Sequence, residues 1–406
     1  MVADKQDKFL NVPTQGKVPH LRFPEFKNEW AALSMEDCLM RLENGANYDT
    51  NDVEGYPMSR IETISKSHID YSKVGHSANL KNAEHYRMLY GDILFSHINS
   101  VRHIGKTAYY EAEKPLYHGM NLLLLRCKQE MDSKFIYYLL NNQQFLRKCQ
   151  VLAKQAVNQA SISTSDLRKI GLYVPQHDEQ IRIAKFLSCI DERISTQIRI
   201  IEELKMFRDT LMFKLLSPRK NWEHVCIHDV AMVVGGGTPD TNVKEYWDGN
   251  IQWFTPSEIG KEKYVIASEK TISQAGLDNS SAKLLPANTI LLSTRATIGE
   301  CSIAKKECCT NQGFQSLVAT TVTPEFLYYL IQTKKRDLLS KASGSTFSEI
   351  SANEVRKIHI CIPTTAKEQE ALVQPLSAYD EKIETECKIL YLYKLQKQFL
   401  LSKLFI

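Results

Sequence analysis

Few residues in this chain stand at spacings that chemistry requires. His103-Ile-Gly-Lys-Thr ends like a phosphate-binding loop, but the leading glycine would have to stand at position 100, which is Ser100. Gly235-Gly-Gly-Thr-Pro precedes no strand–helix dinucleotide pattern, so it reads as a turn or a phosphate-backbone contact. No Asn-Pro-Pro-Phe or Asp-Pro-Pro-Tyr occurs to hold a flipped adenine for methylation. The nuclease-like Glu-x-Lys tails at Glu25, Glu203 and Glu386 follow no Pro-Asp at strand distance. His97, His103 and His118 stand near one another without carboxylates at metal-ligand spacing. The expectation is therefore a protein that is not an enzyme and holds no metal or cofactor of its own.

The polar loops offer binding chemistry instead. One set comprises Gly237-Thr-Pro, Phe254-Thr-Pro-Ser-Glu-Ile, Ser293-Thr-Arg-Ala-Thr-Ile-Gly, Thr310-Asn-Gln-Gly-Phe-Gln and Ser343-Gly-Ser-Thr-Phe-Ser. A second set comprises Ser59-Arg-Ile-Glu-Thr-Ile-Ser-Lys, Ser96-His-Ile-Asn-Ser-Val-Arg-His, His118-Gly-Met-Asn and Asn158-Gln-Ala-Ser. Arginine suits bidentate contact with guanine, Asn and Gln with adenine, and hydroxyls and lysines with phosphates. The same composition also suits ordinary solvated loops. The net charge of +4 is only mildly basic and does not by itself point to DNA.

What must position these loops is legible from periodicity. From His177 to Leu216, apolar residues recur at Leu187, Ile190, Ile194, Ile201, Leu204, Leu211 and Leu215, with polar interruptions at Gln197 and Arg208. No Gly or Pro interrupts the stretch before Ser217-Pro218, so the spacing predicts one long helix with a coiled-coil seam. About 38 residues at ~1.5 Å each give a rod of roughly 55–60 Å. The pattern returns 189 positions later at Leu376, Tyr379, Ile383, Glu386, Leu390, Tyr393, Lys397, Leu400 and Leu404, polar breaks included. Asp191-Glu-Arg-Ile is echoed by Asp380-Glu-Lys-Ile.

The segments before each rod repeat as well. Trp30-Ala-Ala-Leu-Ser-Met-Glu-Asp matches Trp222-Glu-His-Val-Cys-Ile-His-Asp, each read as a strand leading into a short helix. Ile93-Leu-Phe-Ser matches Ile290-Leu-Leu-Ser as buried strands, and Phe135-Ile-Tyr-Tyr-Leu-Leu matches Phe326-Leu-Tyr-Tyr-Leu-Ile at a helix start. Gly105 and Gly119 keep the same spacing as Gly299 and Gly313. Leu167-Arg-Lys-Ile matches Val355-Arg-Lys-Ile, each followed by an alternating strand. The chain is a tandem duplication. It divides into an arm (1–25), a globe (26–175), a rod (176–217), a second globe (218–363) and a second rod (364–406). Two rods with apolar seams bury them most simply against each other, antiparallel about a pseudo-two-fold. Arg208 is then expected opposite Glu386, and Gln197 opposite Lys397.

The 406 residues are 43% hydrophobic and 24% charged, as in soluble globular proteins. The polar, acid-containing N-terminus is unlike a signal peptide, and runs such as Leu122 to Leu125 are too short to span a membrane. Ten cysteines without a CxxC pair suggest free thiols and a cytoplasmic location.

Taken together, Gly235-Gly-Gly-Thr-Pro, Glu245-Tyr-Trp-Asp-Gly-Asn-Ile-Gln-Trp-Phe-Thr-Pro-Ser-Glu-Ile, Ser280-Ser-Ala-Lys-Leu-Leu-Pro and Ser293-Thr-Arg-Ala-Thr-Ile-Gly resemble the specificity subunit of type I restriction–modification enzymes. Pro19-His-Leu-Arg-Phe-Pro-Glu-Phe and the two Pro…Glu-Gln stretches opening the rods extend the resemblance over nearly the whole chain. The resemblance implies a mixed α/β fold: two homologous target recognition domains separated by two long helices that form an antiparallel coiled coil. It implies that each domain reads half of a bipartite, asymmetric site in double-stranded DNA while the helices set the spacing. It further implies two copies of a methyltransferase subunit as partners, and restriction–translocation subunits joining that core. S-adenosylmethionine, ATP and Mg belong to those partners.

Within the resemblance the candidate DNA contacts are Thr238, Ser257, Lys261, Arg295, Thr297, Gln315 and Thr346 in the second domain. In the first they are Arg60, Lys66, Asn99, Arg102 and Lys106. The first domain departs from the pattern, with Asn44-Gly-Ala-Asn and Ser96-His-Ile-Asn in place of Gly-Thr-Pro and Ser-x-Arg-Ala. The competing role for Arg295 is to brace its loop against Glu258 or Glu300. The alternatives to a restriction subunit are a protein-binding coiled-coil scaffold and the same subunit in a modification-only complex.

Overall fold

The computed structural model describes residues 18–49, 52–65, 68–100, 103–156, 159–295, 297–342 and 349–406. The chain divides into two compact units, one formed by residues 1–197 with 389–406, the other by 198–388. Each unit therefore owns part of both long helices, His177–Leu215 and Ala366–Lys403. No helix among the described residues is long and apolar enough to cross a membrane.

The two units repeat one construction. Ala31–Ser34 pairs antiparallel with Gly171–Val174, and Glu223–Cys226 pairs antiparallel with His359–Ile362. Each ribbon runs directly into a one-turn helix, Met35–Cys38 or Ile227–Val230, whose third residue (Asp37 or Asp229) accepts the backbone N–H of Ser34 or Cys226. In the first unit a sheet follows in the order Leu39–Asn44, Leu123–Cys127, Ile93–Phe95, Thr107–Tyr109. The second unit keeps that order with Ala231–Gly235, Gln315–Ala319, Ile290–Leu292 and Cys301–Ala304, then adds Tyr264–Val265 at the edge. The central strands are buried on both faces, which suits their unbroken apolar runs.

A helix covers each sheet, Ser133–Leu140 in one unit and Pro324–Thr333 in the other. Glutamine fastens the rod beside it. Gln180 donates to the Pro175 carbonyl at 2.9 Å and accepts from the Asp132 N–H at 2.9 Å, where Asp132 caps the sheet-covering helix. Gln369 does the same between the Pro363 carbonyl (3.4 Å) and the N–H of Thr323, again the cap residue (2.9 Å). The preceding glutamate binds the indole that opens each globe: Glu179 accepts from Trp30 at 3.3 Å and Glu368 from Trp222 at 3.1 Å. The Pro…Glu-Gln stretches thus lock rod, strand and helix together.

Within each unit the rod segments run antiparallel. Every seam residue read from the sequence is buried or half-buried: Leu187, Ile190, Ile194, Ile201, Leu204, Arg208 and Leu211 on the first rod, with Leu376, Tyr379, Ile383, Glu386, Leu390 and Leu400 on the second. The register differs from the expectation. Arg208 Nη1 lies 2.7 Å from Asp380 Oδ1, six residues before Glu386, whose own recorded ion pair is with Lys382. Lys397 Nζ lies 2.5 Å from Asp191 Oδ1, six residues before Gln197. The reason is a third participant. The Tyr138 hydroxyl donates to Asp191 at 2.8 Å, and the Tyr329 hydroxyl donates to Asp380 at 2.5 Å. A tyrosine from the sheet-covering helix selects the carboxylate, and the cation of the opposite rod segment follows it.

Breaking this contact should be costly, because a half-buried guanidinium loses the more buried of its two carboxylate partners and keeps only the half-exposed Asp209. Asp380→Ala should destabilise the protein by roughly 2–4 kcal/mol, toward the low side of the range for split buried pairs. Tyr329→Phe should cost about 1 kcal/mol. Denaturant unfolding measures both, and an Asp380→Ala midpoint equal to the parent's would show that the contact carries no stability.

Candidate nucleic-acid interface

In the second unit, four polar motifs meet at one end of the sheet. The Gly237 N–H donates to the Thr310 carbonyl (2.8 Å) and the Asn311 N–H to the Phe254 carbonyl (3.1 Å). The Thr294 N–H donates to the Gly313 carbonyl (2.9 Å), and Trp253 Nε1 to the Gly237 carbonyl (2.9 Å). Backbone bonds thus tie the turns at 235–238, 255–258, 293–299 and 310–315 into one cluster. Gly313 is required there because a Cβ would come within 2.9 Å of the Pro256 ring.

The cluster presents several of the expected residues. Ser257 and Thr297 are exposed; Thr238, Arg295 and Gln315 are half-buried. Thr238 donates to Gln312 Oε1 at 2.5 Å, leaving the Gln312 amide NH2 as a further donor beside it. Gln315 lies over Gly235, and its buried Oε1 has no protein donor among the described residues. Lys261 is exposed beside Gly260, which approaches the Glu300 carboxylate at the far end of the Arg295 loop. Arg295 is braced, but by neither glutamate expected. Its guanidinium pairs with Glu349 at 2.8 Å, while Glu258 accepts from Thr255 and Glu300 pairs with Lys335. With 43% of its side chain exposed, Arg295 still faces solvent. Thr346 lies outside the described residues.

The first unit holds its loops in the same frame. The Gly105 N–H donates to Ser96 O at 2.9 Å, as Gly299 does to Ser293 O at 3.0 Å. Ser96 N–H donates to Lys106 O, and Ser293 N–H to Glu300 O; Ile162 N–H donates to His97 O, and Ile350 N–H to Thr294 O. Both loop-closing glycines are left-handed, with φ of 83° and 85°, a conformation that costs other residues energy. By this correspondence the position of Arg295 is held in the first unit by Ile98, next to Asn99.

Asn99 and Lys106 share a small pocket with Ile61, Glu62, Ile64, Ser65, Ser96 and His103. Asn99 is half-buried and donates to Ser96 Oγ at 3.3 Å; Lys106 Nζ donates to the Ser65 carbonyl at 2.9 Å. Arg60 is turned inward instead: its Nε is buried, and its stem packs near Tyr48 and the Gly75 backbone. Lys66 and Arg102 lie outside the described residues.

Sequence reasoning passed over Gln312 and Glu349, whose only signal was membership of, or proximity to, the polar loops. It placed His97 and His118 in polar loops without foreseeing their burial. Both are buried, and burial lowers each imidazole's pKa to about 4.

Comparison with known proteins places these features in context. A family model described as the type I restriction modification DNA specificity domain matches residues 41–206 and again 219–391. A protein of Methanocaldococcus jannaschii, named for the type I restriction enzyme MjaX specificity subunit, is 31% identical over 390 residues, 90% of each chain. The EcoR124I/EcoR124II specificity subunit of Escherichia coli is 24% identical over 265 residues, 61% of this chain and 63% of that one. Among solved structures, the S subunit of a type I restriction–modification system from M. genitalium superposes with a TM-score of 0.56 at 18% identity, covering 96% and 99% of the two chains.

The two buried imidazoles give a pH dependence. With folded-state values near 4 and unfolded values near 6.5, the unfolded chain takes up protons first as pH falls, so stability declines between pH 6.5 and 4. The loss is on the order of 3 kcal/mol per ring by pH 4. His118→Gln keeps a donor for the Leu122 carbonyl but cannot titrate. Unfolding midpoints across that window should therefore fall less steeply for the variant than for the parent.

Proposed function

Because the chain belongs to the family of type I restriction–modification DNA specificity subunits, we propose that it reads a bipartite, asymmetric duplex site. One half falls to each recognition domain. The rods set the gap between the halves and offer docking for two copies of a methyltransferase subunit, to which restriction subunits add. The chain supplies the address; S-adenosylmethionine, ATP and Mg serve the partners.

The observation that carries this reading is one loop frame holding different side chains in the two units. Ser96 to Gly105 and Ser293 to Gly299 close through the same backbone bonds, yet Ile98 and Asn99 stand in one where Arg295 stands in the other. A shared frame with exchanged tips suits two readers of unlike half-sites, since base edges are distinguished by side-chain donors and acceptors. In this reading Arg295, Thr297, Thr238, Ser257 and Gln315 face one half-site, with Lys261 on the flanking backbone. Asn99 and Lys106 face the other. Arg60 contributes by shaping its loop from inside.

The reading is tested by assembling the chain with its methyltransferase partner and mapping N6-methyladenine in cells with and without it. One split motif should appear and vanish with the chain; methylation unchanged by its loss would refute the proposal. At residue level, Arg295→Ala should relax discrimination in one half-site by roughly 1–3 kcal/mol, whereas Glu349→Ala should not. Equal effects from both would reduce Arg295 to a brace. Lys106→Ala should weaken binding to all duplexes alike and flatten the salt dependence by about one phosphate contact.

A further inference from the structure

The ribbon at the base of the second unit carries a concentration of metal-ligating side chains that its counterpart lacks. Pairing sets His224 opposite Cys361 and Cys226 opposite His359. Alternation along each strand puts all four on one face. In the first unit the same positions hold Ala32 opposite Tyr173 and Ser34 opposite Gly171. The fold thus needs neither thiol nor imidazole there.

Cys226 is moreover a poor choice for its local task. It occupies the helix-capping position where Ser34 accepts the Asp37 N–H through its hydroxyl, a task to which a thiol sulfur brings only a weak acceptor. Thiols are not among the favoured caps. The sulfur has other neighbours. Its Sγ lies 3.5 Å from His359 Nδ1, and the donor atoms of Cys226, His228 and Asp229 all lie within 4.8 Å of one another. His228 Nε2 is 3.3 Å from Asp229 Oδ1. Ligand atoms held tetrahedrally at 2.0–2.3 Å from Zn2+ are separated from each other by roughly 3.3–3.8 Å, which is the spacing of the His228–Asp229 pair.

The orientation of His228 is the second, independent observation. Its Nδ1 lies 3.0 Å from the Arg356 carbonyl, an acceptor only, so Nδ1 donates there and Nε2 is turned toward the Asp229 carboxylate. A backbone carbonyl fixing one ring nitrogen so that the other can bind is the usual outer support of a metal-ligating histidine.

We propose that Cys226, His228 and Asp229 form a binding site for a divalent d-block cation of the Zn2+ type, with the fourth position open to water. One thiolate with imidazole and carboxylate donors selects this class over Mg2+ or Ca2+, which prefer oxygen alone. Cys226 supplies the thiolate, losing its proton on binding. His228 supplies an imidazole nitrogen, and Asp229 turns one oxygen to the ion while the other keeps the Cys226 N–H at 2.8 Å. The site braces the junction of ribbon and short helix at the base of the domain.

The test uses the full chain, reduced and stripped of metal, with Co2+ as a spectroscopic probe and Zn2+ as competitor. One Co2+ should bind with a thiolate charge-transfer band and the visible bands of tetrahedral ligation, and Zn2+ should displace it. Cys226→Ser restores the capping residue of the first unit, so it should fold while losing the thiolate band. Its affinity should drop by more than the roughly 10–100-fold that outer-shell changes cost. His228→Gln should weaken binding in the same direction. Cys361→Ser, altering the adjacent thiol on the same face, should leave band and stoichiometry intact. No saturable binding, a band that survives Cys226→Ser, or one lost in Cys361→Ser would each overturn the assignment. These readouts follow metal rather than DNA, so failure would leave the specificity reading untouched.

Discussion

A carboxylate held by three elements governs the architecture of each unit. Asp191 receives the hydroxyl of Tyr138 from the sheet-covering helix and the ammonium of Lys397 from the other rod. Asp380 receives Tyr329 and Arg208 in the same way. Apolar seams are permissive about sliding, because neighbouring leucines and isoleucines offer nearly equivalent packing one turn along. A charge pair closed by a hydroxyl is not, since a shift leaves a partly desolvated cation and carboxylate unpaired. Burial supplies the gross attraction between rod segments, and the Tyr–Asp–cation set fixes their register. It also fixes where the sheet stands along the rod, because the tyrosine belongs to the helix that roofs it.

That division of labour explains what the sequence disclosed. The rods, the entry strands and the helices roofing the sheets follow from periodicity and from the ordered repeats, and all of them are present; the pairing of each entry strand with the last strand of its globe did not. The seam positions were readable too, since burial tracks the three–four spacing. The register was not. Pairing polar break with polar break treats the seam as the only source of partners, whereas Asp191 and Asp380 stand just off it. The clue lay in two separate repeats, the Asp-Glu-basic-Ile echo and the second tyrosine of Phe-x-Tyr-Tyr. Nothing in linear spacing joins them, because the link forms across a tertiary contact.

The recognition surface shows a similar split. Which loops would gather was legible from their composition and repetition, and the second unit brings four of them together through backbone bonds. Which side chains would face outward was not. Arg60 looks like Arg295 in a list of basic loop residues, yet one is folded against Gly75 and the other reaches solvent beside Glu349. The difference depends on which face of its loop each side chain leaves, and that is settled by neighbours far along the chain.

The membership of the two units bears on how the protein is made. The second unit is one continuous stretch, residues 198–388. The first is discontinuous: Leu400, Leu404 and Phe405 pack into the core that contains Trp30 and Phe135. The half translated earliest therefore waits, with part of its interior open to water, until residues 400–405 have been made. A nascent chain released before Leu400 would leave the older half without three of its core side chains.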